Sequence, residues 1–133
     1  MSATGNFTLT MTSDLTSDSL AVSVLKSLTS LTLGGVSRVK LATTAISNAT
    51  ILAPAAKYTA GALVWLYNPA TAASSGDDRV YVSFDETSAQ IILKGGDWAL
   101  VPWAAVSSRA SSEPNIEAYG QVADAVIEFG VFN

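Results

Sequence analysis

The chain reads as an all-β protein, an antiparallel β-sandwich, with a jelly roll or a small barrel as the neighbouring possibility. Three observations predict this class. Residues 6–12 alternate strictly, with Phe7, Leu9 and Met11 on one face and Thr8, Thr10 and Thr12 on the other. The stretch Leu63 to Trp103 holds three runs rich in β-branched and aromatic residues, each bounded by turn formers. No segment has convincing helical periodicity. With 133 residues, a single domain spanning 1–133 is expected.

After the strand at 6–12, the polar residues Ser13 to Ser19 break the pattern and predict a turn. Residues 20–33 carry two signals. Leu20, Val24, Leu28 and Leu31 fall at helical spacing, and Ser17 is placed to cap such a helix. Leu20, Val22 and Val24 also alternate as a strand, and Val22, Val24, Thr29 and Thr32 are β-branched. Two short strands, or one bulged strand, are therefore expected there.

Gly34-Gly35 predicts a hairpin turn. A two-residue loop sets Leu31 opposite Arg38; a three-residue loop over 34–36 pairs Leu31 with Val39 and Thr29 with Leu41, keeping one face apolar. The longer loop is expected, with a glycine at positive φ. The strand 37–45 then turns Val39 and Leu41 inward and Arg38 and Lys40 outward. Residues 46–62 read as a short strand at Ile51-Leu52 and an irregular crossover through Pro54 to Gly61.

Leu63 to Tyr67, Val80 to Phe84, and Ile91 to Leu93 continuing through Gly95-Gly96-Asp97 into Trp98 to Val101 are expected to pair as a meander. All three tryptophans lie here, and most of this aromatic area is expected in the core. Ala70 to Asp78 and Ala104 to Pro114 read as loops at its two ends. Ile116, Ala118 and Gly120 alternate with Glu117 and Tyr119. The last strand sets Ile127, Phe129 and Val131 on one face, and Val126, Glu128, Gly130 and Phe132 on the other. A strand apolar on both sides is either central in its sheet or part of a subunit contact.

Only 14% of residues are charged, against about 25% in an ordinary soluble domain. Exposed strand faces of Ser and Thr explain part of this; a surface covered by partners explains it as well, because interface cores are depleted in charge. A homo-oligomer is expected. The net charge is -4 and the seven basic residues are scattered singly, which offers no stripe for nucleic acid. No apolar run approaches the ~20 residues of a membrane span, and Met1 to Gly5 shows no secretory pattern.

Cysteine and histidine are both absent. That removes disulfides, thiolate metal sites, cysteine nucleophiles, Ser-His-Asp chemistry and the usual zinc site. The carboxylates Asp77, Asp78, Asp85, Glu86 and Asp97 fall at strand ends, where an acid and base for glycoside hydrolysis or oxygen ligands for calcium would sit. Turn capping is the simpler explanation of Asp at such positions. No catalytic, cofactor-binding or metal-ligating residue is therefore assigned. Trp65, Tyr67, Tyr81, Trp98 and Trp103 are candidates for a sugar platform only if two stand exposed side by side.

Leu63-Val64-Trp65-Leu66-Tyr67-Asn68, Val80 to Phe84, Ile92-Leu93-Lys94-Gly95-Gly96-Asp97-Trp98 through Trp103, and the ending Val126 to Phe132 together resemble small virion structural proteins of tailed bacteriophages. The shared pattern is a strand ending in Asn, a strand of Val and aromatic residues, a Leu-Lys-x-Gly-Asp/Glu-aromatic turn and a final strand reaching the C-terminus. The resemblance covers about half the chain, from Leu63 onward; residues 1–62 match only in being strands rich in Thr and Ser. It implies a non-enzymatic protein of the virion, made in the host bacterial cytoplasm. The expected role is a capsid cement (decoration) protein bridging subunits of the major capsid protein, often as a trimer, or else a tail, neck or fibre component. A carbohydrate-binding module is the rival class.

Overall fold

In the computed structural model, the described residues are 3–13, 20–31, 34–58, 61–71, 78–103 and 114–133. The chain forms two compact units, Met1–Thr32 and Leu33–Asn133. The first is an antiparallel ribbon of β1 (Ala3–Ser13) and β2 (Leu20–Leu31), in register from Ser13↔Leu20 to Gly5↔Leu28. Between Gly5↔Leu28 and Ala3↔Leu31 the register shifts, because β2 spends one more residue than β1 over this step. Of the alternatives for 20–33, the single bulged strand is the one adopted. The expected turn at 13–19, beyond Ser13, and the helix cap at Ser17 lie outside the described residues.

The second unit is a sandwich of two four-stranded antiparallel sheets. One has the order β3 (Gly34–Leu41), β10 (Ala125–Phe132), β5 (Ala62–Tyr67), β8 (Trp98–Trp103). The other has the order β4 (Thr50–Ala53), β9 (Ile116–Gly120), β6 (Val80–Ser83), β7 (Ile91–Leu93). The pairs nest: β6 with β7, β5 with β8, β4 with β9 and β3 with β10. The pairings of β10 with β5 and β9 with β6 then roll this long double ribbon into two layers. This is the jelly-roll form of the β-sandwich.

The nesting corrects the meander. Both β5 and β8 belong to one sheet while β6 and β7 belong to the other, so the chain changes layer after Tyr67 and again after Leu93. Gly95-Gly96 is accordingly not a hairpin. Lys94 to Asp97 form a β-turn, closed by the Asp97 N–H donating to Lys94 C=O at 2.9 Å, that carries the chain between layers. Gly96 occupies its third position at φ 84°, which only glycine adopts without strain.

Gly34-Gly35 is not a turn either. Both residues belong to β3, opposite Phe132 and Val131, while Leu31 pairs with Ala3 and Val39 with Ile127. Neither glycine has positive φ; among the described glycines the two that do are Gly61 and Gly96. A Cβ at Gly34 would meet the Phe132 ring at 3.2 Å, so glycine here makes room for a neighbouring strand's side chain. The facing of the rest of β3 is as expected, with Leu41 buried, Val39 packed on the core, and Arg38 and Lys40 exposed.

The core between the sheets is aliphatic. Leu41, Leu52, Ala53, Val64, Leu66, Val80, Val82, Leu93, Ile116, Ala118, Ile127 and Val131 form it. β10 is central in its sheet, one of the two places expected for a strand apolar on both sides, with Ile127, Phe129 and Val131 turned to the core. Of the three tryptophans only Trp103 packs against this core, capped by Tyr58 at 5.9 Å between ring centroids. The expectation that most tryptophan area is core is thus corrected: Val64 and Leu66 take the inner positions that Trp65 competes for.

One buried polar side chain ties the layers together. Asn68 follows β5 and is 1% exposed; its Nδ2 donates to the carbonyls of Asp78, ahead of β6, and Leu93, at the end of β7. Its Oδ1 accepts from the Ala70 N–H, and its backbone exchanges bonds with Gly96 and Asp97 ahead of β8. Every polar group of this residue is satisfied without water.

Candidate interaction surface

Because β5 turns Val64 and Leu66 to the core, strand alternation turns Leu63, Trp65 and Tyr67 outward. In the register with β8, Leu63 faces Pro102, Trp65 faces Leu100 and Tyr67 faces Trp98. Leu63 is itself covered, at 7% exposed, so Trp65, Tyr67, Trp98, Leu100 and Pro102, none of them charged, make up this half of the sheet's outer face. Trp98 is 55% exposed. The Trp65 and Tyr67 rings stack with centroids 6.0 Å apart and planes at 21°.

The β10 side of this face is shaped by Gly130, which lies opposite Trp65; a Cβ there would come within 2.7 Å of the Phe132 ring. Charge gathers at the far edge. Arg38 pairs with Glu128 at 3.4 Å and Lys40 with Asp124 at 3.0 Å, and both cations lie on β3. The face is thus divided into an aromatic half on β5 and β8 and a charge-paired half on β3 and β10.

The other sheet also presents aromatic residues outward. Tyr81 and Tyr119 are register partners whose rings stack at 5.0 Å and 11°. Ile92 lies opposite Tyr81, and Ile51 opposite Glu117. The Glu117 carboxyl is held above its ordinary range, first by burial and then by the nearby negative charge of Glu86.

The acidic residues do turn chemistry. Asp97 Oδ2 accepts from the Lys94 N–H at 2.9 Å, bracing the layer-changing turn. Asp85 accepts from the Thr87 and Ser88 N–H groups and from the hydroxyls of Ser83 and Ser88. The Gln90 side chain and those two backbone bonds hold its carboxyl well below the usual carboxylate range. Glu86, at φ 59°, accepts from both the backbone and side-chain nitrogens of Asn115, whose Oδ1 accepts from Ala55 N–H. Asp77 lies outside the described residues. Among those described, no three acidic side chains gather where they would hold a metal ion.

Of the aromatic candidates, the fold brings Trp65, Tyr67 and Trp98 together, sends Tyr81 to the opposite face and buries the body of Trp103 against the core. Leu100, Tyr119 and Ile92 join these clusters although the sequence did not single them out. The signal for Leu100 and Tyr119 was the alternation that sets each beside Trp98 or Glu117. No protein-family model, curated protein or solved structure matches the chain. No helix among the described residues is long and apolar enough to cross a membrane. Fold and surface together define a jelly-roll sandwich with an uncharged aromatic patch on one sheet.

Proposed function

We propose that this is a non-enzymatic structural protein of a tailed-phage virion, a capsid cement protein that joins capsid subunits through the outer face of β5 and β8. The observation that carries the reading is the uncharged patch of Trp65, Tyr67, Trp98, Leu100 and Pro102 on a sheet whose charges are confined to the β3 side. Interface cores favour aromatic residues and exclude charge, and a large exposed apolar patch marks a contact site. The jelly roll is shared with viral capsid domains, which adds support by analogy of fold alone. A cement protein adds buried area across subunit boundaries, and a face of this kind supplies it. Tail, neck or fibre proteins use the same physics with a different neighbour.

Carbohydrate binding is the second reading, favoured by the exposure of Trp98 beside two further aromatics. Jelly rolls also serve as lectin domains. Against it stands the Trp65–Tyr67 stack, in which the two rings turn their faces on each other rather than lying flat for a sugar. The two readings separate by tryptophan fluorescence. A cement protein blue-shifts on addition of purified capsid shells and ignores a glycan panel; a carbohydrate-binding module does the reverse.

A further inference from the structure

The sandwich leaves four sheet edges: β3 and β8 in one sheet, β4 and β7 in the other. Three carry features that keep an edge from pairing. β8 has Pro102, which is exposed and has no N–H to offer. β4 is four residues long and shifts register between Ile51 and Ala53. β7 has three residues. β3 has none of these: eight residues run from Gly34 to Leu41, paired with β10 without a shift and without proline. Gly34 to Arg38 are all exposed, Val36 at 64%.

We propose that β3 is the edge at which a second copy of this chain pairs, antiparallel, about a two-fold axis through Val36. A second copy is the occupant because the strand complements itself in that register. Val36 meets its counterpart, and Gly34 of one copy lies opposite Arg38 of the other, so the long guanidinium side chain crosses a residue with no side chain. No like charges stand opposite each other. An axis through Val39 would set Arg38 against Lys40 and repel. Both cations are also neutralised at home by Glu128 and Asp124, so the edge does not present bare positive charge to its own copy. The result is one eight-stranded sheet with the two aromatic patches at its far ends, left free for other contacts. Such an isologous contact makes dimers, in place of the three-fold assembly the phage resemblance implies. It holds whether or not the protein belongs to a virion.

The chain has no cysteine, so a single introduced thiol reports one contact. The Cα separations of an antiparallel pair, about 4.5 and 5.5 Å, lie within disulfide range. Val36→Cys in the full chain is expected to form a disulfide-linked dimer under mild oxidation, while Ile92→Cys, on the other sheet and 53% exposed, forms no disulfide-linked dimer. In sedimentation velocity, wild type is expected to dimerise and Val36→Lys, which places like charges at the axis, to dimerise several-fold more weakly with unchanged circular dichroism. A wild-type monomer at high concentration overturns the proposal. So does a dimer indifferent to Val36→Lys, or an Ile92→Cys variant that cross-links as fast as Val36→Cys.

Discussion

Trp98 lies directly opposite Tyr67 on the neighbouring strand, and the Tyr67 ring stacks at 6.0 Å on Trp65 two residues earlier. This chain of contacts runs across the outside of a sandwich whose interior is built from aliphatic side chains. Trp65, Tyr67 and Trp98 thus lie on the outer face of the β5–β8 pair, while Trp103 packs against the core.

Trp98→Ala is expected to separate stability from assembly. A cross-strand pair contributes roughly 0.2–1 kcal/mol, so the unfolding free energy should fall by no more than about that. Truncating an aromatic anchor at an interface costs about 2 kcal/mol or more, so under the proposed capsid role binding to shells should weaken at least about 30-fold. Urea melts and co-sedimentation measure the two quantities independently.

Asn68→Ala should be among the most damaging single changes. It strips hydrogen bonds from the carbonyls of Asp78 and Leu93 and from the Ala70 N–H, all at the point where both sheets meet. Each buried group left unsatisfied costs about 1–3 kcal/mol, so a loss of roughly 3 kcal/mol or more is expected in urea denaturation. Asn68→Asp should also destabilise, because a carboxylate cannot donate to those two carbonyls.

The layer-changing turn should distinguish its two glycines. Gly96→Ala forces φ 84° on a residue with a β-carbon, costing roughly 1–2 kcal/mol. Gly95→Ala brings its Cβ within 2.7 Å of the Ala70 carbonyl oxygen, a backbone atom with little room to yield, and should cost more. Replacing both with Val should remove a few kcal/mol and shift tryptophan emission. Thermal melts of the two single variants test the order.

Strand positions were largely legible in this sequence, and strand partners were not. Alternation alone located β9, β10 and the inward residues of β3, since polar and apolar positions there fall on opposite faces. In β5 both faces are apolar, so nothing local says whether Val64 and Leu66 or Trp65 and Tyr67 face the core. The nested jelly-roll pairings join residues far apart in sequence, such as Gly34 and Phe132, which leave no mark on either segment. Gly34-Gly35 misled for this reason: a hairpin turn and a strand clearing space for a distant ring call for the same residue. The capping roles of Asp85 and Asp97 were legible because both act on neighbours within a few residues. The aromatic patch was half legible, in that Trp65, Tyr67 and Trp98 were marked as candidates but nothing in the sequence set β5 beside β8.

The two shifted carboxyls should give opposite pH profiles. The pKa of Glu117 is raised in the folded protein from 4.5, so the folded state holds this proton more tightly than the unfolded chain does. Its contribution is fully present below that value and is lost as pH rises through the folded pKa. Glu117→Gln should therefore gain melting temperature relative to wild type at neutral pH, and the gain should vanish in acid. Asp85 is lowered, so its contribution is present above the ordinary aspartate pKa and is lost as pH falls. Asp85→Asn should be less stable than wild type at neutral pH, with the gap closing in acid.

The most direct test of the proposed capsid role is co-sedimentation of the intact protein with purified tailed-phage capsid shells that carry the major capsid protein the proposal implies, comparing wild type with Trp98→Lys. Wild type is expected to pellet with the shells at a fixed ratio to the major capsid protein, and the folded variant to remain in the supernatant. Wild type remaining in the supernatant, or the variant pelleting equally well, would contradict the account.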